Sequence, residues 1–205
     1  MLNENEVIQL RNSLNKEGIC VTKNIFGNEL ISFLKTCSSF LDISSNFLPE
    51  INKEGVVKSP NNTFSKFSYS TIIGESLLLY LTPYYNKISG KNLVPTYSYY
   101  RTYFKGQNLI PHKDRPSCQY SISLQIKSSN NKSWPIYFHS KTSQIVEAIV
   151  EIGDVVFYKG EEVLHWRNHL EFENSSHFFL HWVDKDNPTY KKYWYDGRKR
   201  LGIPK

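Results

Sequence analysis

Apolar positions in the first third of the chain recur at helical spacing. Val7, Ile8, Leu10 and Leu14 predict a helix over Glu4–Leu14, stopped by Gly18. The β-rich run Ile19-Cys20-Val21-Thr22 follows, and Phe26-Gly27-Asn28 turns the chain into a second helix with a stripe of Leu30, Ile31, Phe33, Leu34 and Cys37. Residues 44–70 are rich in Ser, Asn, Pro and Lys without a clear period, which reads as a solvated loop with room for one short strand. Ile72 to Ile88 predicts a third helix, bent or broken by Pro83, that turns Leu77, Leu78, Leu81, Tyr84, Tyr85 and Ile88 inward.

After Pro95 the pattern changes. Short β-rich runs succeed one another at 97–104, 109–112, 120–126, 135–139, 145–151, 155–158, 163–167 and 178–183. Lys105-Gly106-Gln107-Asn108, Ser128-Ser129-Asn130-Asn131 and Ile152-Gly153-Asp154 supply turns between them. Eight short strands with no helix between them exclude a βαβ unit and point to a double-sheet jelly roll or a small closed barrel. The fold class expected is therefore α+β, mainly β, with N-terminal helices packed on one sheet.

Composition narrows the function classes. With 205 residues, 40% hydrophobic and 15% aromatic, the chain can bury a core. Its net charge is +6, but residues 184–205 carry seven Lys and Arg against three Asp, leaving only +2 for the preceding 183. The basicity belongs to a C-terminal tail, so nucleic acid is an improbable partner for the body. Cys20, Cys37 and Cys118 lie far apart, which rules out a disulfide scaffold and a cysteine zinc ribbon. The start Met1-Leu-Asn-Glu-Asn-Glu lacks the basic-then-apolar order of a signal peptide. The longest apolar stretch, Ser76-Leu-Leu-Leu-Tyr-Leu, falls far short of the ~20 residues that span a bilayer. A cytoplasmic protein with no membrane partner is the expectation, and the Asn61-Asn62-Thr63 sequon carries no weight.

Of six histidines, His112 is the informative one, because it stands in Pro111-His112-Lys113-Asp114. In an extended segment, residues i and i+2 point the same way, ~6–7 Å apart at the backbone, so this imidazole and carboxylate can converge on one ion. His165, in Val163-Leu164-His165-Trp166-Arg167, lies on a late strand after the Gly153-Asp154 turn. Two His and one carboxylate on one face form the facial triad of non-haem Fe(II) oxygenases, with three positions left open. A catalytic zinc site takes similar ligands, so ligand type alone does not name the metal.

The stretch from Pro95 to Asp184 resembles the double-stranded β-helix (cupin-like jelly roll) of Fe(II)/2-oxoglutarate-dependent oxygenases, in the neighbourhood of prolyl 4-hydroxylases and phytanoyl-CoA hydroxylases. The residues that carry the likeness are Tyr100-Arg101-Thr102-Tyr103, Lys105-Gly106, Pro111-His112-Lys113-Asp114-Arg115-Pro116, Ser121-Ile122-Ser123-Leu124, Gly153-Asp154, His165-Trp166-Arg167 and Phe179-Leu180-His181-Trp182-Val183. The helix-strand-helix start resembles the lead-in of that superfamily. The resemblance implies one oxygenase domain over 1–205: a helical lead-in and variable loop at 1–94, the β-helix core at 95–184, and a basic aromatic tail at 185–205. It further implies Fe(II) on His112, Asp114 and His165, 2-oxoglutarate as cosubstrate and O2 as oxidant, with hydroxylation of a substrate and release of succinate and CO2.

The sequence departs from that family where many members place a cation, about ten residues past the second histidine, for the distal carboxylate of 2-oxoglutarate. Here Ser175, Ser176 and His177 occupy that place. A buried carboxylate needs a partner. Arg167 is the first candidate, two residues beyond His165 and of the same inward parity, with a planar fork that holds a carboxylate bidentately. Lys127 and His177 are the second and third. Tyr103, nine residues before His112, matches a tyrosine that bonds the cosubstrate in prolyl-hydroxylase-like sequences, and Tyr99 and Arg101 share its side of the strand. Arg115 reaches either the substrate mouth or a surface acid. Trp134, Trp166 and Trp182 read as core and rim aromatics, and His139, His169 and His181 as structural or exposed.

Intact ligand types argue against a vestigial jelly-roll binding module, and Asp114 argues against a halogenase, which needs a small residue in its place. A nucleic-acid interaction through the tail is the remaining rival. The substrate stays open among peptidyl or free amino acids such as proline and small metabolites.

Overall fold

The computed structural model describes residues 2–44, 46–47 and 65–203. Helix α1 (Glu4–Glu17) begins with a reciprocal capping box between Asn3 and Glu6 and ends at Gly18, whose φ of 81° lets its N–H reach Leu14 O. Ile8 of the expected stripe is exposed, and Leu14 alone of this helix is fully buried. Strand β1 (Ile19–Thr22) leads to α2 (Asn28–Ser44), then β2 (Asn46–Phe47) and β3 (Lys66–Tyr69). Two short strands thus stand where one was expected, and most of the loop between them lies outside the described residues.

Helix α3 (Ile72–Ser89) is continuous through Pro83 rather than broken by it. Pro83 and Leu79, whose carbonyl forgoes its helical donor, both lie on the exposed side, so the packed face of Leu77, Leu78, Leu81, Tyr85 and Ile88 is undisturbed. All eight later strands are present: β4 (Leu93–Phe104), β5 (Leu109–His112), β6 (Tyr120–Ser128), β7 (Ile136–His139), β8 (Ile145–Ala148), β9 (Val155–Tyr158), β10 (Leu164–Arg167) and β11 (Asn174–Asp184). β4 starts two residues before Pro95, and β11 starts four residues before the apolar run that announces it.

The strands form two antiparallel sheets, one ordered β1-β9-β6-β11-β4-β3-β2 and one ordered β5-β10-β7-β8. This is the double-stranded β-helix, with the helices on the outer face of the larger sheet. Side-chain alternation divides the work. Ile122, Leu124 and Ile126 of β6, and Phe178, Leu180 and Trp182 of β11, pack with α2 and α3 in the main core. The intervening residues face the smaller sheet and build the site.

Past β11 the tail folds back as 3-10 turns over Pro188–Gly197. Tyr190, Tyr193, Trp194 and Tyr195 are half-buried, while Lys191 and Lys192 stay exposed. Two of its charged residues are not on the surface. Arg198 pairs with Glu75 of α3 at 2.6 Å, both side chains 4% exposed. Asp196 is buried and meets Tyr69 and Arg115. No described helix is long and apolar enough to cross a membrane.

Candidate metal centre and its cavity

His112 and His165 face each other as register partners on β5 and β10, with ring centroids 4.3 Å apart. Asp114, two residues past His112, is drawn under them because its N–H donates to Gly160 O at 2.9 Å. Its Oδ1 lies 3.5 Å from Nε2 of each histidine. The three ligand atoms lie within 4.8 Å of one another. Neighbouring ligands of an octahedral ion with ~2.1 Å bonds stand ~3.0 Å apart.

The tautomers suit a metal. His112 Nδ1 donates to Ile110 O at 2.9 Å, and His165 Nδ1 donates to Val163 O at 3.1 Å. A carbonyl only accepts, so each ring carries its proton on Nδ1 and turns the Nε2 lone pair toward Asp114. Burial pushes the Asp114 carboxyl up, but where each Nε2 also carries a proton its hydrogen bond to Asp114 and the charge of the imidazoles hold the carboxyl well below the usual carboxylate range, and a metal ion takes the place of those protons. The donor set, two neutral imidazoles and one ionised carboxylate, fits Fe(II).

These residues floor a cavity of about 440 Å³ whose wall includes Tyr97, Tyr99, Arg101, Tyr103, Arg115 and Phe179. Tyr103 is fully buried, with the Arg101 guanidinium 4.4 Å over its ring and Trp134 against its edge. Arg101 donates to Ser65 Oγ at 2.9 Å.

Arg167 shares the inward face of β10 with His165 and is 1% exposed, behind the cavity wall. It donates to Trp134 O and, at 3.0 Å, to Ser123 Oγ; its Nε has no partner among the described residues. Burial lowers its pKa to about 10, which leaves it a cation at neutral pH. His177 is also fully buried, with Nε2 2.8 Å from Ser175 Oγ. Burial and the charge of Arg167 push its pKa well down, so it supplies no positive charge.

Lys127 is not brought to the cavity. A bulge between its pair with Ser176 and the Gln125–His177 pair reverses the local parity of β6. Its ammonium therefore lies on the helix side of the sheet, 3.4 Å from Asp42 of α2. Arg115, left between two roles by the sequence, lies over the Tyr97 ring at 4.5 Å and 3.4 Å from Asp196 of the tail.

Sequence reasoning missed several residues here. His181, read as structural or exposed, lines the cavity, and Ser121 lies between it and Asp114. The signal was present as strand parity, since 175, 177, 179 and 181 share the inward face of β11. Gly160 was also overlooked. A Cβ there would stand 2.3 Å from Asp114 Oδ2 and 2.4 Å from Cys118 O, so only glycine leaves room for the carboxylate.

No family model and no curated protein matches the sequence. Solved structures do. A Pseudomonas putida prolyl-4-hydroxylase superposes with a TM-score of 0.65 at 12% identity, covering 85% of this chain and 97% of that one. The non-haem α-ketoglutarate-dependent epimerase SnoN from nogalamycin biosynthesis gives 0.71 at 10% identity, covering 89% and 84%. EctD from S. alaskensis, solved with bound Fe, gives 0.64 at 13% identity, covering 96% and 86%. The chain has the fold of the Fe(II)/2-oxoglutarate-dependent oxygenases.

Proposed function

We propose that this protein is an Fe(II)- and 2-oxoglutarate-dependent dioxygenase that hydroxylates a small molecule or a peptide, with residues 1–205 working as one catalytic unit. The observation that carries the reading is the convergence of two Nε2 lone pairs and one carboxylate oxygen at the floor of a cavity, with both tautomers set by backbone carbonyls. His112, Asp114 and His165 hold the metal. The chemistry supplied when Fe(II), 2-oxoglutarate and O2 are bound is insertion of one oxygen atom into a C–H bond, coupled to conversion of 2-oxoglutarate to succinate and CO2.

The protein's own groups orient and neutralise. Arg167, a buried cation with only neutral partners, takes the distal carboxylate of 2-oxoglutarate, and Tyr103 closes the cavity beside it. Arg101, which lies on the wall itself, is the alternative anchor, and its presence there is the observation in its favour. Tyr97, Tyr99 and Phe179 line the space left for substrate. The test is succinate formation by the Fe(II)-loaded protein across amino acids, peptides and small metabolites. Substrate-dependent succinate is the expected result. Stoichiometric metal binding with no affinity for 2-oxoglutarate would make the protein a binding module instead.

A further inference from the structure

The Ser121 hydroxyl of β6 contacts Asp114 Oδ2 at 3.3 Å, Cys118 O at 3.1 Å and His181 Nδ1 at 2.9 Å, and the Tyr158 hydroxyl also lies beside it. Its hydroxyl has one proton to give and lone pairs to receive with. The carboxylate and the carbonyl only accept. Were His181 Nδ1 also an acceptor, three acceptors would compete for one proton, and the shortest contact would win it from Asp114. With the proton on Nδ1, His181 donates to Ser121 Oγ, whose single proton is then shared between Cys118 O and Asp114 Oδ2 instead of being taken by the imidazole. The ring is held in that orientation by Tyr97, whose centroid lies 4.6 Å away. Beneath the carboxylate, Gly160 leaves no spare room for Oδ2.

We propose that His181 and Ser121 are positioning residues, a donor relay from His181 Nδ1 through the Ser121 hydroxyl to Asp114 Oδ2 that turns Oδ1 alone toward the metal position. This rests on the metal-site reading above. Its consequence is denticity. With Oδ2 engaged, Asp114 offers one oxygen, which keeps open a coordination position that a bidentate carboxylate would fill. His181 and Ser121 act through Asp114, and the relay involves neither 2-oxoglutarate nor substrate.

The test uses Co(II), an oxygen-stable stand-in for Fe(II), titrated into the full chain and followed by its visible d–d absorption. Ser121→Ala should weaken Co(II) by about ten- to a hundred-fold, as loss of an outer hydrogen bond to a ligand does. His181→Leu should weaken it similarly, whereas His181→Asn, whose side-chain amide can donate where Nδ1 does, should recover most of the affinity. The Ser121→Ala/His181→Leu double variant should be no worse than Ser121→Ala, because one residue works through the other. Circular dichroism of each metal-free variant checks folding. Unchanged affinity in folded Ser121→Ala, or additive losses in the double variant, would overturn the relay. Asp114→Ala separates the two claims: if it abolishes Co(II) binding while Ser121→Ala does nothing, the metal site stands and the relay falls, and if Asp114→Ala binds normally the metal-site reading itself fails.

Discussion

Arg198 and Arg167, two of the buried arginine side chains among the described residues, are buried differently. Arg198, in the tail, pairs with Glu75 and also donates to the carbonyls of Tyr195, Ile203 and Thr96. Arg167, between the sheets, meets a carbonyl, a hydroxyl and an aromatic ring. A guanidinium taken out of water is strongly disfavoured unless an anion answers it. Arg198 has its anion from the chain and staples the tail to α3. Arg167 faces only neutral groups, and a ligand carboxylate is the natural complement. On the proposed reading, the difference separates a charge kept for the fold from a charge kept for a ligand.

The largest effect expected from breaking this contrast is on stability. Arg198→Ala strands the Glu75 carboxylate in the core and should cost about 3–5 kcal/mol, read by chemical denaturation. The Glu75→Gln/Arg198→Ala double variant should regain part of that. Truncation after Asp186 removes Arg198 and Asp196 together and should lower the melting temperature further still. If the truncated chain melts like the full one, the tail is a free arm and its pairings are incidental.

A smaller effect, on ligand affinity, is expected at the other arginine. Losing a charge-assisted bidentate contact of ~1.5–3 kcal/mol, Arg167→Ala should weaken 2-oxoglutarate by roughly ten- to a hundred-fold while metal binding holds. Arg167→Lys should recover only part of it. Arg101→Ala is the decisive companion: a larger loss there would move the anchor to the cavity wall. Affinity should stay level between about pH 6 and pH 8, because an arginine remains charged and His177, its pKa depressed, remains neutral. An affinity that fell as pH rose through that range would point to a histidine anchor. The smallest effect is at Lys127, whose partly exposed pair with Asp42 is worth about 0–1 kcal/mol. Lys127→Ala should leave 2-oxoglutarate affinity unchanged, and isothermal calorimetry would show otherwise.

The strands were legible because β-rich runs stand between turn residues, although β4, β6, β9 and β11 are buried on both faces, and the His112–Asp114 pair because its geometry is local. What stayed hidden depends on partners far away in sequence. The start of β11 reads as polar Ser175-Ser176-His177 because these buried side chains find polar partners in distant or neighbouring residues, Ser175 with His177 and Ser176 with Thr102. Lys127 looked available because nothing in the sequence marks the bulge that turns it to Asp42. Pro83 looked like a break because the exposure of Leu79 decides its effect, and exposure is a tertiary property. Asp196 offered no motif at all. Its role comes from meeting Tyr69 and Arg115, 127 and 81 positions earlier in the chain.

The central claim is that His112, Asp114 and His165 hold Fe(II) so that 2-oxoglutarate can chelate it. Anaerobic addition of Fe(II) and 2-oxoglutarate, followed by the visible metal-to-ligand charge-transfer band of the chelate, tests that most directly. The band should saturate at one equivalent in the native protein and be absent in Asp114→Ala. A native protein without the band, or an Asp114→Ala protein that shows it undiminished, would contradict the account.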